Sequence, residues 1–241
     1  MEYAIGVDIG TTAAKAALVS RDGQVIAEAR HEYTLYVTPD GGAEQDPEEW
    51  VSAAISVIRS VLHQSGVAPS RIIAVGFSSQ APSVVLVSAD GQPVYPALLW
   101  MDRRGDRRVE ELSETTLVVQ RLTGNRIDAY FAAPKVSWFR RQFKEASASV
   151  ACLLMANSYV AHKLGGSPVV DVTHAGLTLL ADISGAWNES LTEVWDIPRA
   201  WLPPIVEPTA VVGELSQEAA TLTGLLRGTK IVIGLVDGVA A

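Results

Sequence analysis

Three short strand-like runs come before the first helical pattern, and this order limits the possible folds more than any other feature. Tyr3–Asp8 and Lys15–Val19 are apolar runs of strand length, and the turn Arg21-Asp22-Gly23 leads into a third run, Gln24–Tyr33. Tight turns between short runs of this kind predict an antiparallel meander of three strands. A dinucleotide-binding α/β fold has a helix directly after its first strand, so the sequence argues against that fold.

The segment after the meander predicts a helix and a central strand. Asp46 is a good N-cap, and apolar residues from Trp50 onward recur at helical spacing until Gly66. The apolar run Ile72–Phe77 is typical of a central strand covered on both faces. Helical insertions and a last strand at Lys230–Ile233 follow. The order β-β-β-α-β-α indicates a layered α/β domain.

Composition excludes several classes of partner. The chain of 241 residues has 27 acidic and 19 basic residues and a net charge of -8, which argues against a broad nucleic-acid or anionic-membrane surface. Its single cysteine, Cys152, cannot form an internal disulfide, which fits a reducing compartment. The N-terminal residues lack the basic and apolar regions of a secretory leader. We therefore expect a cytoplasmic protein with no nucleic-acid or membrane partner.

The first candidate site is the turn between the first two predicted strands. Asp8 ends a strand and can hold a hydrated Mg²⁺, while Gly10 lets a phosphate approach the backbone closely. The N–H and hydroxyl groups of Thr11 and Thr12 can donate to phosphate oxygens, and Lys15 can add a positive charge. The alternative is a β-hairpin whose turn merely needs glycine and threonine.

Two further candidate sites follow predicted strands. Trp100 can stack on the C–H face of a sugar, and Asp102 and Arg104 can hydrogen-bond its hydroxyls. The alternative is a helix-capping Asp followed by exposed arginines. Asp237, after the tight exit that Gly234 allows, can act as a general base in a cleft or simply as a helix N-cap.

Taken together, these motifs resemble the FGGY family of carbohydrate kinases, most of all its xylulokinase-like members. The resemblance covers essentially the whole chain, and the motifs that carry it are Asp8-Ile9-Gly10-Thr11-Thr12, Glu44-Gln45-Asp46-Pro47 with Trp50, Gly76-Phe77-Ser78-Ser79-Gln80, Pro96-Ala97-Leu98-Leu99-Trp100 with Asp102 and Arg104, Gly124-Asn125, Ala133-Pro134-Lys135 with Trp138, and Gly234-x-x-Asp237-x-x-Ala240. The resemblance implies an RNase H-like, actin-like ATPase domain, with a mixed sheet and helices on both faces. It also implies an enzyme that uses ATP and Mg²⁺ to phosphorylate a small sugar, ketose or polyol, with a pentulose such as xylulose favoured.

The resemblance also implies roles for individual residues. Asp237 matches the base that takes the proton from the attacking sugar hydroxyl. The turn residues Gly10, Thr11 and Thr12, with Lys15, face the ATP phosphates, and Asp8 lies near the metal. The residues on the sugar side are Gln80, Ala81, Pro82, Trp100, Asp102, Arg104, Asp237 and Gly238.

The chain departs from the family pattern in two sequence motifs and in length. Xylulokinases have Gln-Met-His where this chain has Gln80-Ala81-Pro82, so one polar substrate contact is missing. They also have glycines where this chain has Leu235-Val236. Residues 1–241 are expected to be the N-terminal sugar-binding lobe, without the C-terminal nucleotide-binding lobe, and to be inactive alone. The alternative is a non-catalytic sugar-binding or regulatory module, and a homodimer stays open.

Overall fold

The computed structural model describes residues 1–240. The strands are β1 (Tyr3–Ile9), β2 (Ala13–Ser20), β3 (Val25–Glu32), β4 (Tyr36–Val37), β5 (Ala43–Gln45), β6 (Ile72–Ser79), β7 (Val84–Val87), β8 (Ala97–Leu98), β9 (Cys152–Met155), β10 (Val170–Asp171), β11 (Ile205–Val206), β12 (Val211–Glu214) and β13 (Lys230–Val236). The α-helices are α1 (Pro47–Ser65), α2 (Asp106–Glu111), α3 (Thr116–Thr123), α4 (Ala132–Gln142), α5 (Lys144–Ala148), α6 (Ala156–Lys163), α7 (Val172–Ala175), α8 (Glu189–Trp195), α9 (Gln217–Thr223) and α10 (Asp237–Ala240). Short 3-10 helices lie at Pro69–Arg71, Ser113–Thr115 and Arg199–Trp201.

The main sheet is mixed, and it confirms the predicted meander. Its six strands lie in the order β12-β13-β6-β1-β2-β3. The three strands β1, β2 and β3 pair antiparallel in sequence, as the turn-separated runs predict. By contrast, β6 pairs parallel with both β1 and β13. Parallel neighbours require crossover connections, and the crossover from the meander to β6 contains α1.

Helix α1 forms where its capping residues predict it. The Asp46 side chain accepts a hydrogen bond from the Glu48 N–H at 2.9 Å, and Gly66 ends the helix in the left-handed conformation with φ of 64°. Its apolar face, including Trp50 and Ile58, is fully buried against the sheet and α6. Full burial of one Ile side chain contributes about 1.5–3 kcal/mol, so this face fixes α1 on the sheet.

The prediction for β6 is only partly correct. The strand is central, but Ile73 is 50% exposed, while Val75 and Phe77 are buried in the core. The ladder with β1 is irregular at this point, because Tyr3 pairs with Ile72 and Ala4 with Ala74, so Ile73 is left out of the alternation that buries Val75 and Phe77. Helices α1, α6 and α9 cover the face that Val75 and Phe77 occupy. On the other face α10 begins, and Ala240 lines a groove there with Gly76.

A second, antiparallel sheet carries the insertions. Its strands lie in the order β4-β5-β8-β7-β9. One face of β7 and β9 packs with α4 and α8 in a separate apolar cluster that includes Phe139 and Trp195. Within residues 1–240, no helix is both long and apolar enough to cross a membrane.

Gly234→Ala is expected to destabilise the domain severely. Gly234 has φ of +74°, and a Cβ there would lie 1.4 Å from the carbonyl oxygen of Phe77 in β6. We expect urea denaturation to report a loss of more than about 4 kcal/mol in the free energy of unfolding. Gly76→Ala is the matched control, because its Cβ would lie 3.8 Å from the Cβ of Val232, an ordinary contact. Equal stability of the two variants would contradict the close approach of β13 to β6.

Candidate functional site

The candidate site lies at one edge of the main sheet, where three strands end together. Ile9 and Val236 both align with Ser79 in the parallel ladders, so β1, β6 and β13 finish at the same level. The residues that follow these ends are Gly10, Gln80 and Asp237. The carboxyl edge of parallel strands is where open α/β sheets bind ligands. The sheet therefore brings the three sequence-predicted regions together.

Hydrogen bonds from three side chains hold the backbone carbonyls of the turn after β1. The Gly10 carbonyl accepts from the Tyr33 hydroxyl at 2.5 Å and from Gln80 Nε2 at 3.2 Å. The Thr11 carbonyl accepts from Gln45 Nε2 at 2.8 Å. Gln45 and Gln80 are also bonded to each other, at 3.0 Å. Because these hydrogen bonds hold the carbonyls of residues 10 and 11, the orientation of the turn is fixed.

The donor groups of this turn are suited to an anion. Gly10 N–H is taken up by Ala13 O at 3.1 Å, but in the described part of the chain the N–H groups of Thr11 and Thr12 have no acceptor. Thr12 and Lys15 are exposed. Successive unpaired N–H groups form an anion-binding concavity. Phosphate binding by this turn stays a prediction.

Asp8 is half-buried in β1 and is paired with Lys15 in the antiparallel ladder. Its Oδ1 accepts a hydrogen bond from the Ser78 hydroxyl at 2.9 Å. Burial is the main cause that raises the pKa of Asp8, and the nearby charge of Asp237 adds to it, although Ser78 and Lys15 act in the opposite direction. Asp8 and Asp237 are therefore close enough to interact electrostatically.

This pair of carboxylates fits a hydrated Mg²⁺. Mg²⁺ keeps several waters and takes one or two carboxylates together with substrate phosphates. Asp8 and Asp237 would supply two carboxylates, and a divalent cation would offset the repulsion between them. No cluster of three or more metal-binding side chains occurs within residues 1–240, so the protein alone offers no closed metal cage.

Asp237 is the first residue of α10, as predicted, and its side chain is exposed at the edge of the sheet. Its Oδ1 accepts from the N–H of Gly238 at 2.7 Å, which is also exposed. The charge of Asp237 also raises the pKa of Tyr130, after burial as the larger cause. The charge of Asp237 thus acts on the side chains of both Asp8 and Tyr130.

Trp100 contacts both the turn after β1 and the ring of Tyr130. Its indole N–H donates to the Thr11 hydroxyl at 3.1 Å, and its ring meets Tyr130 edge to face with centroids 6.3 Å apart. The Tyr130 hydroxyl in turn donates to Ala81 O at 2.9 Å. Sequence reasoning missed Tyr130, although the tyrosine stands just before the motif at 133–135. Its contacts are with Trp100 and Ala81, which are distant in sequence, so no local signal marked it.

Gln80, Ala81 and Pro82 are all buried. Both N–H donors of the Gln80 amide are bonded within the protein, to Gly10 O and Gln45 Oε1, while its own Oε1 has no hydrogen-bond partner in the described part of the chain. An unpaired buried acceptor is costly. Oε1 is therefore the one atom of Gln80 that is left for a ligand.

Asp102 and Arg104 form a buried ion pair, so their charged groups are not exposed side chains on the surface of the site. Asp102 is 0% exposed and accepts from Ala43 N–H at 3.0 Å and from Arg104 Nη2 at 2.5 Å. Arg104 also meets Glu44 at 2.6 Å and lies over the Trp138 ring at 4.0 Å. Burial lowers the pKa of Arg104, but the bonds to Asp102 and Glu44 outweigh it and raise that pKa above its usual value. Sugar contact by these two residues stays a prediction.

Lys135 contacts the loop that carries Tyr130. The side chain is fully buried, and its ammonium donates to the carbonyls of Tyr130 and Phe131. Burial lowers the pKa of Lys135 to about 7, although the carboxylates of Asp102 and Asp128 oppose the shift. Lys135 thus fixes the loop that carries Tyr130.

Comparison with known proteins gives one consistent result. Residues 3–241 match the N-terminal domain of the FGGY family of carbohydrate kinases. Xylulose kinase of Bacillus subtilis (strain 168) is 32% identical over 242 residues, covering 98% of this chain and 48% of that protein. Glycerol kinase of Rhodospirillum rubrum is 33% identical over 245 residues, again covering 98% and 48%. The chain therefore spans about half the length of the curated relatives it matches.

The fold is shared as well. The crystal structure of xylulose kinase from Rhodospirillum rubrum matches with a TM-score of 0.93 at 29% identity, covering 99% of this chain and 50% of that chain. This similarity confirms the predicted fold class, an actin-like α/β domain with a mixed sheet and helices on both faces.

Lys135→Met is expected to flatten the pH dependence of stability between pH 7 and 9. With a pKa of about 7 in the fold and an ordinary value when unfolded, the unfolded chain binds more protons in this range. The free energy of unfolding of the parent protein therefore rises with pH, by at most about 1.4 kcal/mol per pH unit from this group. Urea denaturation across the range measures the slope. Lys144→Met, at an exposed lysine, should keep the parent slope; an unchanged slope in Lys135→Met would contradict a buried neutral amine.

Proposed function

The chain belongs to the FGGY family of carbohydrate kinases, and on this premise we propose that it is the sugar-binding half of an enzyme that transfers phosphate from ATP to a hydroxyl of a small sugar, ketose or polyol. The observation that carries the proposal is the meeting of three features at one sheet edge: the turn at 10–12, the aromatic pair Trp100 and Tyr130, and the exposed carboxylate of Asp237. In this proposal residues 1–241 are one lobe, and a second lobe supplies the adenosine site.

Asp237 is proposed as the general base. A sugar hydroxyl is a poor nucleophile until a group within about 3 Å can accept its proton. Asp237 is exposed at the sheet edge, and its charge acts on both the half-buried Asp8 and Tyr130. A hydroxyl that approaches along this edge can donate to the Asp237 carboxylate while its oxygen faces the turn.

The phosphate side is proposed to be the turn itself. The Thr11 and Thr12 N–H groups, with the Lys15 ammonium, would hold phosphate oxygens, and the Gly10 backbone permits a close approach. Mg²⁺ beside Asp8 would offset phosphate charge. Phosphoryl transfer depends mainly on positioning and charge stabilisation, so the rigid anchoring of this turn is the chain's main contribution.

The sugar side is proposed to use aromatic faces and one amide oxygen. Trp100 and Tyr130 offer apolar surface for C–H groups, and Gln80 Oε1 offers an acceptor for a hydroxyl. The buried pair of Asp102 and Arg104 would shape the wall behind them. A pentulose is our favoured substrate, since xylulose kinases are among the relatives, and glycerol kinases among the same relatives leave smaller polyols as candidates.

Asp237→Asn should remove most of the catalytic rate. In the full-length protein, we expect kcat to fall at least about 100-fold because the hydroxyl proton loses its acceptor, with little change in KM for the sugar. A coupled ADP assay measures both constants. Asp46→Asn, at the N-cap of α1, is the control for changing an aspartate at a helix start and should keep the parent kcat. A near-normal kcat in Asp237→Asn would reduce Asp237 to a structural residue.

Residues 1–241 alone should bind the sugar without turning over ATP. The proposed adenosine site belongs to the other lobe, whereas the proposed sugar contacts are all within this chain. Calorimetry with pentuloses, pentitols, tetritols and aldonic acids tests binding, and the ADP assay tests turnover. Turnover at an ordinary kinase rate of about 1–100 s⁻¹ would contradict the two-lobe proposal. Sugar binding without turnover in the full-length protein would favour a non-catalytic module.

A further inference from the structure

A buried carboxylate, Asp171, organises the polar groups behind the candidate site. Its Oδ1 accepts from the Thr173 N–H, the Thr173 hydroxyl and the His174 N–H, and its Oδ2 accepts from Asn157 Nδ2 and His174 Nδ1. Burial alone raises the pKa of Asp171, but these bonds outweigh it and lower the pKa to about 2. Each of its partners is therefore held against a fixed negative charge.

One arm of this network reaches the end of β6. His174 Nδ1 faces Asp171 at 2.6 Å and its Nε2 lies 3.0 Å from the Ser79 hydroxyl. The Ser79 oxygen also accepts from the backbone N–H of Asn157 at 3.1 Å. With a neutral imidazole protonated at Nδ1, every one of these groups is satisfied. This arm fixes the residue that precedes Gln80.

The other arm reaches the end of β13. Asn157 Nδ2 donates to Ile233 O at 3.1 Å, and the N–H of Val236 donates to the Thr173 hydroxyl at 3.1 Å. The ladder of β13 with β6 shifts register between Val232 and Leu235, the stretch in which Gly234 has a positive φ. The contact from Thr173 therefore falls just beyond the irregularity and one residue before Asp237.

Ser79, His174 and Asp171 are hydrogen-bonded in the same order as the serine nucleophile, the histidine base and the orienting aspartate of a hydrolase triad. All three residues are 0% exposed, and the Ser79 oxygen is already engaged by Asn157. A nucleophile must reach its substrate, so these residues cannot attack one in this fold. Their hydrogen bonds, with those of Asn157 and Thr173, instead connect the ends of β6 and β13.

We propose that Thr173 is a positioning residue for Asp237. Its hydroxyl donates to Asp171 at 2.5 Å and accepts from Val236, so its proton and one lone pair are both committed. The backbone one residue before Asp237 is thus held by the Thr173 oxygen in addition to its pairing with Ser79 in β6. The inference rests on the proposed function, because it assigns Thr173 a part in placing the general base.

The test compares Thr173→Val, Thr173→Ser and Thr223→Val in the full-length protein. Thr173→Val removes the hydroxyl at nearly constant volume, and we expect kcat to fall about 10- to 100-fold, the cost of a displaced catalytic group, with the sugar Kd unchanged by calorimetry. Thr173→Ser restores the oxygen and should restore kcat. Thr223 is the matched control, since its buried hydroxyl bonds only to backbone in and just after α9.

Two further measurements separate positioning from general stability. Amide hydrogen exchange at Val236 should be faster in Thr173→Val and unchanged in Thr223→Val, even if both lose similar thermal stability. In the Asp237→Asn background, Thr173→Val should have little additional effect on kcat, because the base that it positions is gone. Thr173→Ala, which adds no bulk, takes the place of Thr173→Val if the latter does not fold.

The outcomes distinguish this inference from the proposed function. A parent protein without turnover on any of the sugars above, in the presence of ATP and Mg²⁺, overturns the proposed function and the inference with it. An active parent whose Thr173→Val variant keeps its kcat overturns the inference alone. A fall in kcat that Thr173→Ser does not restore, or that Thr223→Val reproduces, also overturns it.

Discussion

Parallel pairing of β6 with both β1 and β13 is the constraint on which the rest of the structure depends. Because the three strands run the same way and end level, whatever follows each of them must share one edge of the sheet. The meander and α1 supply the packed base, and the second sheet adds the loop of Trp100 beside that edge. The chemistry of the site is thus assembled from segments that are far apart in sequence.

The predictability of each part follows from the range of the interactions that determine it. Helix α1 could be predicted because Asp46 and Gly66 act on the backbone within one turn. Tyr130 could not, because its hydroxyl contacts Ala81, 49 residues away, and nothing local marks that contact. The exposure of Ile73 was missed for a related reason: an apolar run does not reveal where the pairing of a strand becomes irregular.

The same distinction applies to the candidate site. The residue types at 8–12, 100 and 237 predicted three segments near strand ends, and the fold brings these segments to one edge of the sheet. Their hydrogen-bonding partners were not predictable. Asp102, expected to face a sugar, is fully buried against Arg104, and the Gln80 amide is used mainly to hold the turn at Gly10. Sequence motifs thus locate such a site better than they divide it into contacting and supporting residues.

The hydrogen bond from the Trp100 indole to the Thr11 hydroxyl has a thermodynamic consequence. In the proposed function, Trp100 would form part of the wall for the sugar and would hold the turn for the phosphates, so the two subsites would share one side chain. A ligand that tilts the indole changes the free energy of the loop. Linkage requires that a ligand on the loop alters the affinity at the indole by the same factor. Cooperativity between two substrates would then need no motion larger than the rotation of a single ring.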